Sequence, residues 1–331
     1  MALLSKYNSK IKDDINTGFG SNASHYGGRL LNKDGTPNIK KTGVGFLERF
    51  SWFHSMLSFS RTKFFLIILS FYISINLLFT LIYYAIGTNN LHGLMINSES
   101  ERFSEAFFFS TQTFTTVGYG RISPVGFLTS AVASLEALIG LMSFALVTGL
   151  LYGRFSRPRA YLKFSANAII APYKDITGLM IRLAPFKNTT LTDAVAKLTV
   201  VLNTEENGKP ANKFFNLDLE LLTVNALTLS WTLVHPITKE SPLYDFKESD
   251  YTNSKGEIIV FIKAFDDMFS NTVVSRTSYI LTEVVYGARF IPMFHRDDRN
   301  NITILDLEKI SSFEKMNLPE REGVAEIPLL L

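Results

Sequence analysis

The sequence predicts an α + β membrane protein in which two transmembrane helices, with a short re-entrant helix between them, precede a β-sandwich. Three observations predict this fold: two long apolar runs, a shorter apolar segment between them, and a C-terminal half of alternating apolar and polar residues. Only 19% of the 331 residues are charged, against about 25% in an average soluble chain. The chain has no cysteine, which excludes disulfides and thiolate zinc sites. The net charge of +3 gives no reason to expect a nucleic-acid partner.

The two apolar runs are long enough to cross a bilayer. Residues 64–85 are 22 residues without a charge, which span about 33 Å as a helix against a hydrocarbon core of about 30 Å. Residues 125–153 contain one charged residue, Glu136. Basic residues lie before the first run and after the second. The positive-inside rule therefore predicts a multi-pass protein of the cell inner membrane with both termini in the cytoplasm.

A third apolar segment, residues 103–115, has only 13 residues and is too short to cross, so it must be re-entrant or buried in protein. The sequence TVGYG follows at once. Its glycines allow backbone angles closed to other residues, so successive carbonyl oxygens and the threonine hydroxyl can face one side. The expected ion-binding residues are Thr116, Val117, Gly118, Tyr119 and Gly120.

Four such strands around an axis form stacked oxygen cages that can replace the hydration shell of a potassium ion. Two spans cannot enclose a pore, and one strand supplies about a quarter of an eightfold oxygen cage. We therefore expect a homotetramer, with K⁺ as the transported ion and no cofactor. No segment before residue 64 has regularly spaced arginines, so we expect no voltage sensor.

The C-terminal part, residues 158–331, shows alternating segments separated by turn signals such as Asn207-Gly208. About eight short strands with such breaks are typical of a β-sandwich. The pore domain is expected over residues 61–157. Residues 1–44 are mostly polar and are expected to form a flexible cytoplasmic tail.

Several stretches resemble inward-rectifier potassium channels, and TVGYG resembles the potassium-channel signature. The stretches similar to that family are HPITKESPLYD (235–245), RTSY (276–279) and EVVYGARF (283–290). The sequences EALIG (136–140) and TGLLYGRFSRPR (148–159) resemble its bacterial branch, the KirBac channels. The resemblance covers about residues 45–310. It implies a tetramer with an immunoglobulin-like cytoplasmic sandwich that extends the pore into the cell.

The resemblance also implies roles for single residues. Residues 45–60 match an interfacial slide helix. Phe144 takes the cavity position where strong rectifiers carry an Asp that attracts polyamines and Mg²⁺, so we expect only weak block by these cations. Tyr152 matches the bulky residue at the inner bundle crossing, a candidate gate. Asp193 and Asp267 match acidic residues of the cytoplasmic vestibule.

Two further parts of the family pattern concern the vestibule mouth and the lipid. Residues 270–275 match the loop that narrows the mouth. Four basic residues match positions that contact anionic lipid headgroups in the family: Arg154, Arg157, Arg159 and Lys163. The alternative is that they serve only to fix the orientation of the chain in the membrane by the positive-inside rule.

The chain departs from the family pattern at two positions. Gln112 replaces the pore-helix Glu, and Arg121 replaces the acidic residue that bacterial members carry after the filter. Arg121 either places four positive charges at the outer mouth of a tetramer or pairs locally with Glu101 or Glu105. Glu136 is costly within a membrane span unless it is hydrogen-bonded, and we expect it to be a structural partner of the pore helix rather than an ion ligand.

Two other functions stay open at this point. The chain could be a non-selective cation channel whose filter collapses without the pore-helix Glu, or a ligand-sensing membrane protein that barely conducts. An enzyme is disfavoured because no nucleophile, base and acid grouping and no metal-ligand spacing is found in the sequence.

Overall fold

The computed structural model describes residues 29–43, 45, 51–95, 97–206 and 209–319. These fall into two compact units. The membrane unit is Lys41–Arg157, and the sheet unit combines Met1–Lys40 with Pro158–Leu331.

The described part of the membrane unit contains four α-helices: α1 (Trp52–Ser58), α2 (Arg61–Ile86), α3 (Glu99–Phe114) and α4 (Phe127–Phe155). The first three each begin after a serine whose hydroxyl accepts a backbone N–H of the first turn. By length and composition, α2 and α4 can each cross a membrane. A short antiparallel pair, β1 (Leu91–His92) with β2 (Ser123–Pro124), joins the two connections that flank α3. The slide helix expected over residues 45–60 corresponds to α1, with residues 46–50 outside the described range.

The sheet unit is a sandwich of two five-stranded sheets. Its first sheet has the order β11-β10-β6-β7, with β8 also paired to β6. The strands of this sheet are β6 (Leu191–Glu206), β7 (Lys209–Leu217), β8 (Thr223–Leu227), β10 (Gly256–Asp266) and β11 (Asn271–Ile280).

The second sheet has the order β12-β4-β5-β3, with β9 also paired to β5. Its strands are β3 (Leu162–Phe164), β4 (Ala168–Tyr173), β5 (Ile176–Pro185), β9 (Trp231–Pro236) and β12 (Val284–Tyr286). Alternate side chains of both sheets form one buried core, in which Ile181 of β5 lies in the same cluster as Leu198 of β6 and Val260 of β10. The fold expected from the sequence, two membrane helices followed by a β-sandwich, is confirmed.

Smaller elements surround the sandwich. A short helix, α5 (Glu248–Asn253), precedes β10. Two further antiparallel pairs are β13 (Ala288–Phe290) with β16 (Phe313–Lys315), and β14 (Phe294–Asp297) with β15 (Ile302–Leu305).

Residues 29–38 differ from the flexible tail expected over residues 1–44. Leu30 and Leu31 are only 3% and 1% exposed, and their backbone N–H groups donate to the buried Glu257 carboxylate at 2.6 and 3.1 Å. Ser278 donates to the Leu31 carbonyl at 2.5 Å. We call residues 29–38 the N-terminal clasp. Leu30 and Leu31 are buried, and their N–H groups hydrogen-bonded, by residues of the sandwich that lie far away in the sequence. The polar composition of residues 1–44 therefore predicted a flexible tail where residues 29–38 are ordered. Residues 1–28 lie outside the described range.

The mouth loop expected over residues 270–275 is also corrected. β10 and β11 pair up to Asp266 opposite Asn271, so the connecting turn is only residues 267–270. Ser270 has φ +47 and closes it, and residues 271–275 belong to a strand.

Candidate ion pathway

The backbone N–H groups at the start of the TVGYG segment point back toward helix α3. Thr116 donates to the Thr113 carbonyl at 3.0 Å, and Val117 donates to the Gln112 carbonyl at 3.0 Å. The Gly118 N–H reaches the Gln112 oxygen at 3.4 Å. The segment is therefore bound through its N–H side to carbonyls that the end of a helix leaves unpaired.

Left-handed conformation alternates along the same segment. Thr116, Gly118 and Gly120 have φ of +58, +53 and +82, whereas the residues between them have negative φ. A backbone of alternating hand can turn successive carbonyl oxygens to one side. Within the described chain, none of the carbonyl oxygens of residues 116–119 accepts a hydrogen bond. They form a row of unused oxygens, as a cation cage requires.

Close packing positions this segment. A Cβ added at Gly140 of α4 would lie 1.9 Å from the Phe114 carbonyl oxygen at the end of α3. The absence of a side chain therefore lets α4 touch the backbone of the re-entrant helix directly. Phe114 itself is buried and packs edge to face on Tyr72 of α2.

A buried polar network joins the three long helices behind this segment. Glu136 of α4 is fully buried and accepts from Tyr83 of α2 at 2.6 Å and from Ser110 of α3 at 2.5 Å. The Ser110 hydroxyl also lies 3.1 Å from the side-chain oxygen of buried Asn76. Glu136 is thus placed as a structural partner of α3. Gln112, where the family has Glu, is partly exposed, and its side chain has no hydrogen bond in the described chain.

Arg121 pairs locally. Its guanidinium donates to Glu105 at 2.5 Å and to the Gly93 carbonyl at 3.3 Å. Glu105, not Glu101, is its acidic partner. The positive charge after the TVGYG segment is therefore largely neutralised within one chain.

A concave surface of about 440 Å³ brings together residues that the sequence singled out separately. Thr116, the first residue of the TVGYG segment, and Phe144 of α4 both line it, together with Ser143. Tyr152 lies eight residues beyond Phe144 on the same helix, about 12 Å further along its axis. Both aromatic side chains are more than 70% exposed in the single chain.

The vestibule candidates lie at one end of the first sheet. Asp267 begins the β10–β11 turn and accepts from the Thr192 hydroxyl at 3.1 Å. Asp193, the next residue, has φ +47 and an exposed side chain. Sequence reasoning missed Met268 at the turn, which is 70% exposed. The signal in the sequence was an apolar residue, Met268, within a turn, where polar residues are usual.

Of the four basic residues that follow the second apolar run, two bind carbonyl groups of the chain and two are exposed. Arg154 donates to the Met56 and Phe59 carbonyls at the end of α1, at 3.3 and 2.5 Å. Lys163 donates to the Leu307 carbonyl at 3.0 Å. Arg157 and Arg159 are exposed and have no ion pair or hydrogen bond to another described residue.

Comparisons with known proteins show the family of the chain. The model of an inward rectifier potassium channel C-terminal domain matches residues 162–326, and an ion channel model matches residues 65–157. The inward rectifier potassium channel Kirbac3.1 of Paramagnetospirillum magnetotacticum is 33% identical over 271 residues, covering 80% of this chain and 89% of that protein. The chain belongs to the inward rectifier potassium channel family.

A second inward rectifier, irk-1 of Caenorhabditis elegans, is 26% identical over 225 residues, which are 65% of this chain and 41% of that longer protein. Membership of this family of ion channels makes the chain a membrane protein and not an enzyme, and K⁺ is the ion that the family transports.

Proposed function

We propose that four copies of the chain form a potassium-selective pore in which residues 116–120 are the selectivity filter. The observation that carries this proposal is the alternating backbone, which binds its N–H groups to α3 and leaves its carbonyl oxygens unused. One chain offers one strand of such oxygens, and closure around a fourfold axis completes the cage. The buried network around Glu136 supports the filter from behind, in place of the missing pore-helix Glu.

Gating and modulation extend the proposal. Tyr152 is placed near the end of α4, where four exposed aromatic rings can close a pore by excluding water. The turn with Met268 supplies a second constriction. Asp193 and Asp267 concentrate cations in the cytoplasmic vestibule, whereas uncharged Phe144 supports only weak block by polyamines or Mg²⁺.

The basic residues near the membrane helices carry the proposals on membrane orientation and on lipid contact. The basic residues flanking α2 and α4 favour an orientation in the inner membrane with both termini on the cytoplasmic side. Arg157 and Arg159 are the strongest candidates for contact with anionic lipid, each contributing about 1 kcal/mol near a charged surface.

The test is ion flux in proteoliposomes under opposed K⁺ and Na⁺ gradients, with Gly118→Ala as the variant. We expect a reversal potential near that of K⁺ in the unmodified protein and loss of K⁺ flux in the variant, because a Cβ at φ +53 strains the filter. Gly126→Ala is the matched control, since Gly126 also has positive φ and open space around its Cβ position.

The alternatives give different results. A reversal potential near zero identifies a non-selective channel, and no flux with a correctly assembled tetramer identifies a sensor that barely conducts. Equal loss of flux in Gly118→Ala and Gly126→Ala would show that backbone strain, and not the filter, explains the effect.

A further inference from the structure

A cleft of about 320 Å³ in the sheet unit lies outside the ion pathway. It is lined by residues of β4, β5, β9 and β13, among them Arg182, Thr232, Arg289 and Phe290. Two guanidinium groups and one hydroxyl therefore face the same space, and no acidic residue is among its lining residues in the described chain. This combination of donors is suited to an anion.

Arg182 is a buried cation without a counter-ion. It is 7% exposed, its Nη1 donates to the Ile291 carbonyl at 2.7 Å, and its guanidinium stacks 4.4 Å from the Phe290 ring centre. No carboxylate lies within ion-pair distance of it in the described residues. Burial lowers the pKa of this guanidinium, because removal from water disfavours its charged form. Buried charges are ordinarily paired, so the cleft lacks a negative group.

Arg289 supplies a second, accessible cation. It is exposed and forms no ion pair with another described residue. Glu314 lies directly opposite Arg289 in the β13–β16 pair, but the two side chains are not within ion-pair distance. Two arginines and one neighbouring carboxylate leave the cleft with a net positive charge.

We propose that this cleft is a binding site for a small phosphate-bearing anion, held by Arg182 and Arg289 with the Thr232 hydroxyl as a third donor. Arg182 contributes a guanidinium already oriented by Ile291 and Phe290, so little side-chain entropy is lost on binding. Arg289 closes over the anion from the solvent side. Either free inorganic phosphate or a phosphorylated lipid headgroup has this chemistry. The site does not depend on the proposed selectivity, because it lies in the sheet unit.

The test is the thermal unfolding midpoint of the purified full chain, titrated with sodium phosphate against sodium chloride at matched ionic strength and pH. We expect a saturable rise with phosphate. Arg289→Gln should raise the dissociation constant at least about tenfold, as expected for a lost charge-assisted hydrogen bond. Glu314→Gln should lower the constant, since it removes the nearest negative charge. Lys263→Gln, an exposed lysine on the other sheet, is the matched control and should change nothing.

A second arm distinguishes the sources. The water-soluble headgroup of a phosphoinositide replaces inorganic phosphate, and a dissociation constant at least tenfold lower assigns the cleft to lipid, whereas an equal constant assigns it to free phosphate. Arg182→Gln is included, but because Arg182 is buried the decision rests on Arg289 and Glu314. Absence of a saturable shift with either probe, or equal binding by Arg289→Gln and the unmodified protein, overturns the proposal. If a carboxylate from a second copy of the chain fills the cleft, neither probe produces a saturable shift, and that outcome also overturns the proposal.

Discussion

At Gly140 a single hydrogen atom sets how closely α4 approaches the carbonyl end of α3. A methyl group there would stand 1.9 Å from the Phe114 oxygen and 2.7 Å from its carbonyl carbon, so backbone must move. Overpacking of this kind costs about 1–3 kcal/mol, and the displaced backbone leads directly into residues 116–120, the proposed filter. We predict that Gly140→Ala lowers K⁺ over Na⁺ selectivity at least about tenfold, measured as the reversal potential under bi-ionic conditions.

Gly149 on the same helix provides the control, because an added Cβ there meets nothing within 4 Å in the described chain. Gly149→Ala should keep the selectivity of the unmodified channel. Unchanged selectivity in Gly140→Ala would mean that the filter does not depend on this contact.

At the scale of elements, Arg154 of α4 binds the end of helix α1, in addition to the apolar packing of Met56 of α1 with Leu150 of α4. Arg154 binds two carbonyls at the C-terminal end of α1 and stacks 5.0 Å from the Phe64 ring centre. A cation at a helix C-terminus contributes about 0.3–1 kcal/mol, and its hydrogen bonds add to this. We predict that Arg154→Gln lowers the thermal unfolding midpoint of the purified protein and frees α1.

Arg157 is the matched comparison, since it is exposed and has no such contacts. Arg157→Gln should leave the midpoint unchanged and weaken the dependence of flux on anionic lipid. If the two variants behaved alike in both assays, the division of the basic cluster into anchor and lipid contact would be wrong.

Elements determined by nearby residues were predictable from the sequence, and elements determined by distant residues were not. The apolar runs predicted α2 and α4, and the two glycines of TVGYG predicted the unusual backbone of residues 116–120, because length and local backbone freedom decide both. The clasp depends on Glu257, 227 residues after Leu30, and no local pattern reports that contact. The turn at residues 267–270 follows from the register of β10 on β11, which composition alone does not give. The contact of Arg154 with the end of α1 could not be predicted for the same reason, since a basic residue after a span has the same sequence pattern whether it binds lipid or a helix end.

At the scale of the whole molecule, the sheet unit is built from two separated parts of the chain, and Glu257 joins them. Its carboxylate accepts two backbone N–H groups of the clasp, whereas a glutamine has one acceptor oxygen and would turn an N–H against the other donor. We predict that Glu257→Gln speeds amide exchange at Leu30 and Leu31 about 10- to 100-fold, the range for loss of a hydrogen bond to a charged group.

Hydrogen–deuterium exchange followed by mass spectrometry measures this directly. Glu240→Gln, at an exposed glutamate of the same unit, is the control. Exchange in Glu257→Gln as slow as in the control would show that the apolar contacts of Leu30 and Leu31 hold the clasp without the carboxylate.

The clasp also has a consequence for the order of events during biosynthesis. Leu30 leaves the ribosome 227 residues before its partner Glu257, a delay of roughly 10–50 s at about 5–20 residues per second. Both membrane helices are synthesised within that interval. Insertion into the bilayer therefore proceeds while residues 29–38 are still unattached, and these residues bind the sandwich only after β10, which carries Glu257, has emerged from the ribosome. The clasp is synthesised before both membrane helices, yet it becomes attached to the sandwich only after both have been made.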